Sequence, residues 1–255
     1  MKNPKNILIT GASSGIGEAL SLFYAEAGRT MFLCARNEER LNAVAERCRQ
    51  KGASVYAKVL DVTDEASMRD WIFDSDEIAP LDLVIANAGV SAGPGGPEGE
   101  TEAQTRQIFS VNVGGVLNTV LPAMQKLRLR KSGQIAVISS LAGYRGLPSA
   151  PAYSGSKNAV RAWGEALRGW LAPEGIEVNV VCPGFVASRI TEKNKFPMPF
   201  FMQADKAAKI IAKGLSKNKG RITFPFPLAF ASWLTGAMPS FIADVVLTRL
   251  PKKGT

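Results

Sequence analysis

The chain has 255 residues, of which 46% are hydrophobic and 21% are charged, values close to globular averages that exclude a disordered or fibrous protein. Its 31 Lys and Arg against 22 Asp and Glu give a net charge of +9, which favours anionic partners such as nucleotide phosphates, an acidic carrier protein or lipid headgroups, or only a basic surface. The basic residues are spread along the chain, so no nucleic-acid partner is expected.

The cysteines and the N-terminal residues bear on the cellular compartment. The three cysteines stand far apart and form no C-x-x-C motif, so we expect neither a disulfide framework nor a zinc site. The apolar run from Ile7 to Ile9 is too short for the core of a signal peptide. We therefore expect a cytoplasmic protein that binds no metal.

Short apolar runs alternate with longer helical patterns in chain order. The predicted strands are Asn6–Thr10, Thr30–Ala35, Ser54–Leu60, Leu81–Ala86, Gln134–Ser139 and Glu177–Cys182. The predicted helices are Gly15–Ala27, Asn37–Lys51, Asp64–Ile78, Thr101–Arg130, Ala152–Leu171 and Ala204–Ser216. Strands that are apolar on consecutive residues are typical of a parallel sheet covered on both faces. The alternation predicts one α/β domain over 1–255, with a doubly wound, mainly parallel sheet of the Rossmann type and functional residues after the strands.

A glycine-rich turn follows the first predicted strand. Gly11, Gly15 and Gly17 lie in TGASSGIG, between that strand and a predicted helix. Glycines here permit a tight turn and close approach of the backbone to a pyrophosphate, and the free N–H groups of the helix start favour negative charge. The spacing is neither G-x-G-x-x-G nor that of a P-loop. The turn predicts a phosphate-containing ligand, although the glycines could also serve only to close the turn.

The end of the second predicted strand bears on the choice of cofactor. Arg36 stands where an NAD-binding chain commonly has an acidic residue for the ribose 2′-hydroxyl. An arginine there can pair with a 2′-phosphate, so Arg36 favours NADP over NAD, and Arg40 could share this role. In the alternative interpretation Arg36 is a solvated loop cation.

Tyr153 and Lys157 form a candidate proton-transfer pair in a chain without histidine. They lie four residues apart in a predicted helix and so share a face. An ammonium about 4 Å from a phenol contributes ~4 kcal/mol at an effective dielectric of ~20, or ~3 pK units, against a usual pKa near ~10. We expect Lys157 to lower the pKa of Tyr153, against an opposing desolvation, so that Tyr153 acts as acid or base. Such a pair by itself also arises by chance on surface helices.

A serine at the end of the fifth predicted strand completes the candidate site. Ser140 precedes Tyr153 by thirteen residues and can donate to a carbonyl oxygen on which negative charge develops. With it, the motifs resemble those of the short-chain dehydrogenase/reductase family over roughly Asn6 to Ser188. The family patterns T-G-x-x-x-G-x-G, Asp-Val, N-A-G and P-G-x-V-x-T are similar to Thr10–Gly17, Asp61–Val62, Asn87–Gly89 and Pro183–Ser188, with Ser188 in place of threonine.

The resemblance implies a role for each matching residue. Ser140 would polarise the carbonyl, Tyr153 would donate the proton, Lys157 would hold the nicotinamide ribose, and Asn112 would be the catalytic asparagine that supports a water relay. The implied cofactor-binding residues are Gly11, Ser13, Ser14, Gly15, Ile16, Gly17, Arg36, Asp61, Val62, Asn87, Ala88, Gly89, Tyr153, Lys157, Pro183, Gly184, Val186 and Ser188. Asn112 could instead cap or kink a helix, and Ser188 could cap the next one.

The C-terminal part, 189–255, is expected to form a variable substrate lid and an apolar terminal segment. Phe185, Phe196, Phe200 and Phe201 could line a hydrophobic pocket or belong to the core. The stretch 222–247 is apolar with basic flanks, but three prolines and an aspartate interrupt it, which argues against a transmembrane helix. Peripheral membrane contact, burial against the domain and contact with a second subunit all fit this pattern.

These features together predict an NADP(H)-dependent oxidoreductase. It would transfer a hydride between nicotinamide and a small-molecule carbonyl or secondary alcohol, on a hydrophobic substrate such as a lipid, ketoacyl or steroid-like compound. The competing interpretations are a catalytically silent NADP-binding sensor or scaffold, and a membrane-associated lipid-metabolic module. The resemblance also implies a homodimer or homotetramer.

Overall fold

A seven-stranded parallel sheet forms the centre of the protein. The computed structural model describes residues 2–91, 100–192 and 197–247. The strands are β1 (Asn6–Thr10), β2 (Thr30–Ala35), β3 (Ser54–Val59), β4 (Leu83–Ala86), β5 (Gly133–Ile138), β6 (Ile176–Pro183) and β7 (Arg221–Phe224). Their order is β3-β2-β1-β4-β5-β6-β7, with every neighbouring pair parallel. The predicted doubly wound α/β fold is confirmed.

Helices cover both faces of the sheet. They are α1 (Gly15–Tyr24), α2 (Glu38–Gln50), α3 (Glu65–Ile78), α4 (Glu102–Phe109), α5 (Gly115–Arg130), α6 (Pro151–Leu171), α7 (Arg189–Glu192), α8 (Ala204–Ser216), α9 (Phe226–Ala237) and α10 (Ser240–Leu247). Residues of α1, α2 and α8 pack on one face, and those of α3, α5 and α6 pack on the other. Within β1, Ile7 and Ile9 enter the first of these cores and Leu8 the second. Consecutive residues of such a strand are apolar because both faces are buried.

The topology places a crevice at the carboxyl ends of β1 and β4. From β1 the chain proceeds through β2 to β3 on one side and then returns to β4 on the other side of β1. The connections after the two strands therefore run in opposite directions. Ligands of doubly wound sheets bind at such a switch point.

The predicted helix over Thr101–Arg130 is wrong in one respect, because it is not a continuous α-helix. A π-helical turn at Ser110–Gly114 separates α4 from α5. Gly115 follows this turn and lies against Val62, where a Cβ would come within 2.5 Å of Cγ2 of Val62. Hydrophobic periodicity is nearly the same in both helix types, so the sequence pattern does not locate one widened turn.

The segment after α8 contains the elements that the sequence analysis did not predict. β7 extends the sheet beyond β6, and α9 and α10 follow it. A strand of four residues is too short to show a period, and the uniformly apolar residues after it have no polar face to indicate a helix. Among the described residues, no helix combines the length and apolarity needed to cross a membrane.

Candidate active site

The glycine turn joins the ends of β1 and β4. Gly11 and Gly15 have φ values of +66° and +56°, which favour glycine. A Cβ on Gly17 would lie 2.2 Å from the carbonyl oxygen of Gly11, and one on Gly15 would lie 2.8 Å from Cβ of Ser188. The predicted tight turn is present, and its glycines allow close contacts between protein segments. Ile16, between two of them, is partly buried against the core beneath.

Thr10 and Asn87 lock the two strand ends together. Oγ1 of Thr10 accepts hydrogen bonds from the backbone N–H of Asn87 at 3.0 Å and of Ala88 at 3.1 Å. Nδ2 of Asn87 donates to the carbonyl of Thr10 at 2.9 Å. The side-chain role of Thr10 was not predicted, although the residue stands in the motif itself. These bonds set the width of the crevice.

A cleft of about 830 Å³ opens beside the start of α1. Its lining includes Ser13, Ser14, Gly15, Arg40 and Ser188, but not Ser140, Tyr153 or Lys157. Within the described structure, the side chain of Ser14 does not cap α1, and Nε of Arg40 is buried without a hydrogen-bond acceptor. Unpaired donors at a helix start fit a phosphate. The carboxylates of Glu18, Glu192 and Asp205 also line the cleft, so only its end at Ser13–Gly15 and Arg40 suits an anionic group, away from the candidate proton-transfer residues.

Arg36 and Asp61 meet at the carboxyl ends of β2 and β3. Nη1 of Arg36 lies 3.5 Å from Oδ2 of Asp61, and the two side chains are 54% and 40% exposed. Burial opposes the ionisation of Asp61, but hydrogen bonds from Thr63 and the Arg36 charge outweigh it and lower the pKa of Asp61. Val62, the next residue, packs against Gly115. Arg36, the predicted 2′-phosphate residue, and Asp61 and Val62, two of the implied cofactor-binding residues, are thus neighbours.

Tyr153 lies in the first turn of α6, and Ser140 lies directly after β5. A hydrogen bond joins their side chains, and burial nevertheless raises the pKa of Tyr153 above its usual value. Oγ of Ser140 also accepts from the N–H of Ala142 at 3.1 Å and donates to the carbonyl of Pro183 over a long 3.5 Å. Because that last bond is weak, the Ser140 hydroxyl is available to a substrate oxygen.

Lys157 is buried one turn further along α6. Its side chain donates to the carbonyl of Ile138 at 2.9 Å, and Nζ lies 5.9 Å from the centre of the Tyr153 ring. Burial lowers the pKa of Lys157 to about 8. The expected lowering of the Tyr153 pKa by Lys157 is therefore wrong, because desolvation is the largest effect on each side chain and disfavours both charged forms.

Asn112 is fully buried in the π-helical turn and holds the segment after β4. Its Oδ1 accepts from the N–H of Val90 at 2.8 Å, and its Nδ2 donates to the carbonyl of Val90 at 3.0 Å and to Oγ of Ser156 at 3.0 Å. A Cβ on Gly89 would approach Oδ1 of Asn112 at 3.2 Å and Nζ of Lys157 at 3.3 Å. The turn thus brings Gly89 against Lys157. Asn112 does not cap a helix; it lies in the π-helical turn between α4 and α5, and its side chain joins that turn to Val90 and Ser156.

The loop after β6 completes the site. The N–H of Gly184 donates to the carbonyl of Phe224 at 2.8 Å, and Val186 forms a bridge with Met202. Ser188 precedes α7 and takes the capping position considered as an alternative, because its Oγ accepts from the N–H of Thr191 at 3.4 Å and its own N–H donates to Oγ1 of Thr191 at 2.9 Å. Thr191, which no motif indicated, also donates to the carbonyl of Val186 at 2.9 Å.

The phenylalanines considered as pocket-lining residues lie at different depths. Phe185 is partly buried, whereas Phe200 and Phe201 are 56% and 45% exposed. Phe196 lies outside the described residues.

The catalytic candidates converge where β4, β5 and α6 meet. An ordered pair of hydroxyls beside a buried ammonium can transfer a proton to a substrate oxygen.

Comparison with known proteins agrees with this arrangement. The sequence profile of the short chain dehydrogenase family matches residues 5–197. An uncharacterised oxidoreductase of Myxococcus xanthus is 35% identical over 253 residues, which are 96% of this chain and 97% of that protein. The granaticin polyketide synthase putative ketoacyl reductase 1 of Streptomyces violaceoruber is 37% identical over 190 residues, 73% and 69% of the respective chains.

A solved structure shows the same fold. The short-chain dehydrogenase from Sphingobium yanoikuyae in complex with NADPH has a TM-score of 0.80 at 24% sequence identity, over 98% of both chains. The family match covers most of this chain, and the full-length similarity to an oxidoreductase supports it. The chain therefore belongs to the short-chain dehydrogenase/reductase family, and it is a dehydrogenase or reductase that acts on CH–OH or C=O groups.

Proposed function

We propose that the protein is an NADP(H)-dependent reductase or dehydrogenase that acts on the carbonyl or secondary alcohol of a hydrophobic substrate. The observation that carries this proposal is the hydrogen bond between Ser140 and Tyr153 beside buried Lys157. The nicotinamide supplies or accepts the hydride when it is bound. The protein must then orient the substrate oxygen and move one proton to or from it.

Each of these tasks has a candidate residue. The hydroxyl of Ser140 orients the oxygen and stabilises the negative charge that develops there. Tyr153 supplies the proton, and since burial raises its pKa, it stays protonated at neutral pH and is ready to act in carbonyl reduction. Asn112 positions Lys157 through the segment of Gly89 and Val90, and its expected relay through water stays a prediction.

Three features support NADP as the cofactor. Arg36 follows β2 and is half exposed, so its guanidinium is accessible to a phosphate. Arg40 has a buried donor without an acceptor beside the cleft, and the start of α1 lacks a side-chain cap among the described residues. An ion pair as exposed as that of Arg36 with Asp61 contributes little to stability. Arg36 can therefore exchange Asp61 for a 2′-phosphate at small cost.

The first test of this assignment replaces Arg36 by serine. Arg36→Ser should raise KM for NADPH by about 10- to 100-fold, since a charge-assisted hydrogen bond contributes roughly 1.5–3 kcal/mol, and it should change KM for NADH less than about twofold. Steady-state kinetics with both cofactors measure the difference. Arg49→Ser, at a similarly exposed arginine at the other end of α2, is the matched control and should change neither KM. Equal loss with both cofactors would refute the role of Arg36.

The proposed class of substrate is inferred from the residues around the site and from the net charge. Leu141, directly after Ser140, belongs to an apolar cluster against which Tyr144 and Leu228 pack. This apolar cluster beside the hydroxyl pair supports a hydrophobic substrate. The basic net charge also suits an acyl group carried on an acidic protein, and the similar Streptomyces protein is named as a putative ketoacyl reductase.

A panel of carbonyl compounds tests the proposed reaction. Hydrophobic ketones, steroid ketones and β-ketoacyl thioesters are offered with NADPH, and the fall of its absorbance is recorded. We expect turnover with at least one hydrophobic member and slower turnover with short polar ketones. Binding of NADPH without turnover of any member would favour the silent sensor instead.

A further inference from the structure

The last two helices expose a dense group of apolar side chains, which we call the apolar stripe. Its members are Phe226, Phe230, Trp233 and Leu234 on α9 and Phe241, Ile242 and Val245 on α10. They are seven of the 17 large apolar side chains that are exposed in the described residues. Scattered apolar side chains are normal on a protein surface, but exposed aromatic rings in mutual contact, such as those of Phe226, Phe230 and Trp233, indicate a contact with another body.

The stripe faces away from the rest of the protein. Residues 226, 230, 233 and 234 follow helical spacing and share one side of α9. The rings of Phe226 and Phe230 are stacked 6.4 Å apart, and that of Trp233 lies 5.9 Å from Phe230. Ala229 is buried, and Gly236 lies against the carbonyl of Tyr144, so α9 uses another side for its packing. The aromatic side is therefore available to a partner.

The charges around the stripe indicate which partner it fits. Residues 222–243 include no charged residue, and Asp244 is the single acidic residue of α10. Arg145 donates to the carbonyl of Met238 at the end of α9, and Arg221 at the start of β7 is paired with Glu165 at 2.9 Å. Lys217 and Lys219 are exposed just before β7. Arg145 and the net charge of +9 give the surface that carries α9 a positive character, which the headgroups of an anionic bilayer would neutralise.

We propose that the apolar stripe binds the surface of an anionic lipid bilayer, with the aromatic rings entering the interface and the basic residues at the headgroups. α9 packs on the turn Leu141–Gly143, directly after Ser140. Binding through the stripe would therefore bring the substrate side of the site close to the bilayer, where hydrophobic substrates are concentrated. The binding itself does not depend on the proposed reaction, so vesicle experiments test it separately.

Flotation of the whole protein with vesicles tests this proposal. We compare vesicles of phosphatidylcholine alone with vesicles of equal parts phosphatidylcholine and phosphatidylglycerol, at low and high salt. Binding should require phosphatidylglycerol and weaken with salt. The double variant Phe230→Ser/Trp233→Ser should bind at least about tenfold more weakly, because both rings leave the interface. Trp170→Ser, at a tryptophan that is 58% exposed on α6, is the matched control and should bind normally.

A second measurement does not require the double variant to fold. Brominated lipids should quench the fluorescence of the native protein and of Trp170→Phe, but quench Trp233→Phe much less. Equal quenching of both single variants would overturn the placement of Trp233. Absence of vesicle binding would overturn the proposal altogether, and light scattering that shows an oligomer dissociated by Phe230→Ser/Trp233→Ser would assign the stripe to a second copy.

Discussion

Tyr153→Phe should lower kcat by about 10²- to 10⁴-fold, because the variant lacks the group that donates the proton to the substrate oxygen. NADPH should still bind, since the ring of Tyr153 is retained and the substitution removes one oxygen only. Ser140 loses its hydrogen-bond partner but keeps its contact with Ala142, so the turn after β5 should keep its structure. Single-turnover kinetics with NADPH and a substrate from the carbonyl panel measure the effect.

Tyr144→Phe is the matched control for this substitution. Tyr144 follows the turn Leu141–Gly143, close to Ser140 in the chain. Its hydroxyl accepts a hydrogen bond from Arg221 at 3.3 Å and is exposed. The same oxygen is removed, but the ring that packs against the cluster of Leu141 stays in place, so turnover should stay within about twofold. Near-normal turnover of Tyr153→Phe with bound NADPH would refute the proposed mechanism.

Lys157→Met should remove activity and at the same time stabilise the folded protein at neutral pH. Lys157 is 4% exposed, and burial lowers its pKa from the usual 10.5 to about 8. That difference corresponds to about 3 kcal/mol by which burial of the ammonium destabilises the fold. The lost hydrogen bond to Ile138 offsets about 1 kcal/mol. We therefore expect the free energy of unfolding at pH 7 to rise by about 2 kcal/mol in urea titrations.

The sign of the pH dependence follows from proton binding. Below pH 8 both folded and unfolded states carry the charged lysine, so the full destabilisation is present. Between pH 8 and 10.5 the unfolded state binds more protons than the folded state, so the wild-type protein gains stability as pH rises. The difference between Lys157→Met and wild type should therefore shrink over this range. Lys213→Met, at an exposed lysine of α8, should show no such trend.

The catalytic pH profile tests the same group by another route. If the ammonium of Lys157 is required, kcat/KM for carbonyl reduction should fall above pH 8 as the lysine loses its proton. The raised pKa of Tyr153 places its own titration at higher pH. A constant kcat/KM up to pH 10.5, together with a stability difference that does not change with pH, would contradict the assignment of a pKa near 8 to Lys157.

The sequence by itself determined the alternation of strands and helices from β1 to β6 and indicated the candidate site residues. β1 and β2 have the predicted bounds, because strands buried on both faces are apolar on consecutive residues and turn residues limit them clearly. The glycine turn was predictable because its glycines occupy backbone conformations and close contacts that a side chain would prevent. Such short motifs can be predicted from the sequence because a few neighbouring residues determine their conformation.

Only the tertiary structure decided the properties that depend on distant neighbours. The direction of the Tyr153 and Lys157 pKa shifts is one of them, because desolvation depends on every segment that surrounds the pair. The π-helical turn at Asn112 is another, since its side chain is satisfied by Val90 and Ser156, which lie 22 and 44 residues away. The exposure of the apolar stripe is a third such property, because the same apolar sequence occurs in segments buried inside a fold and in segments on its surface.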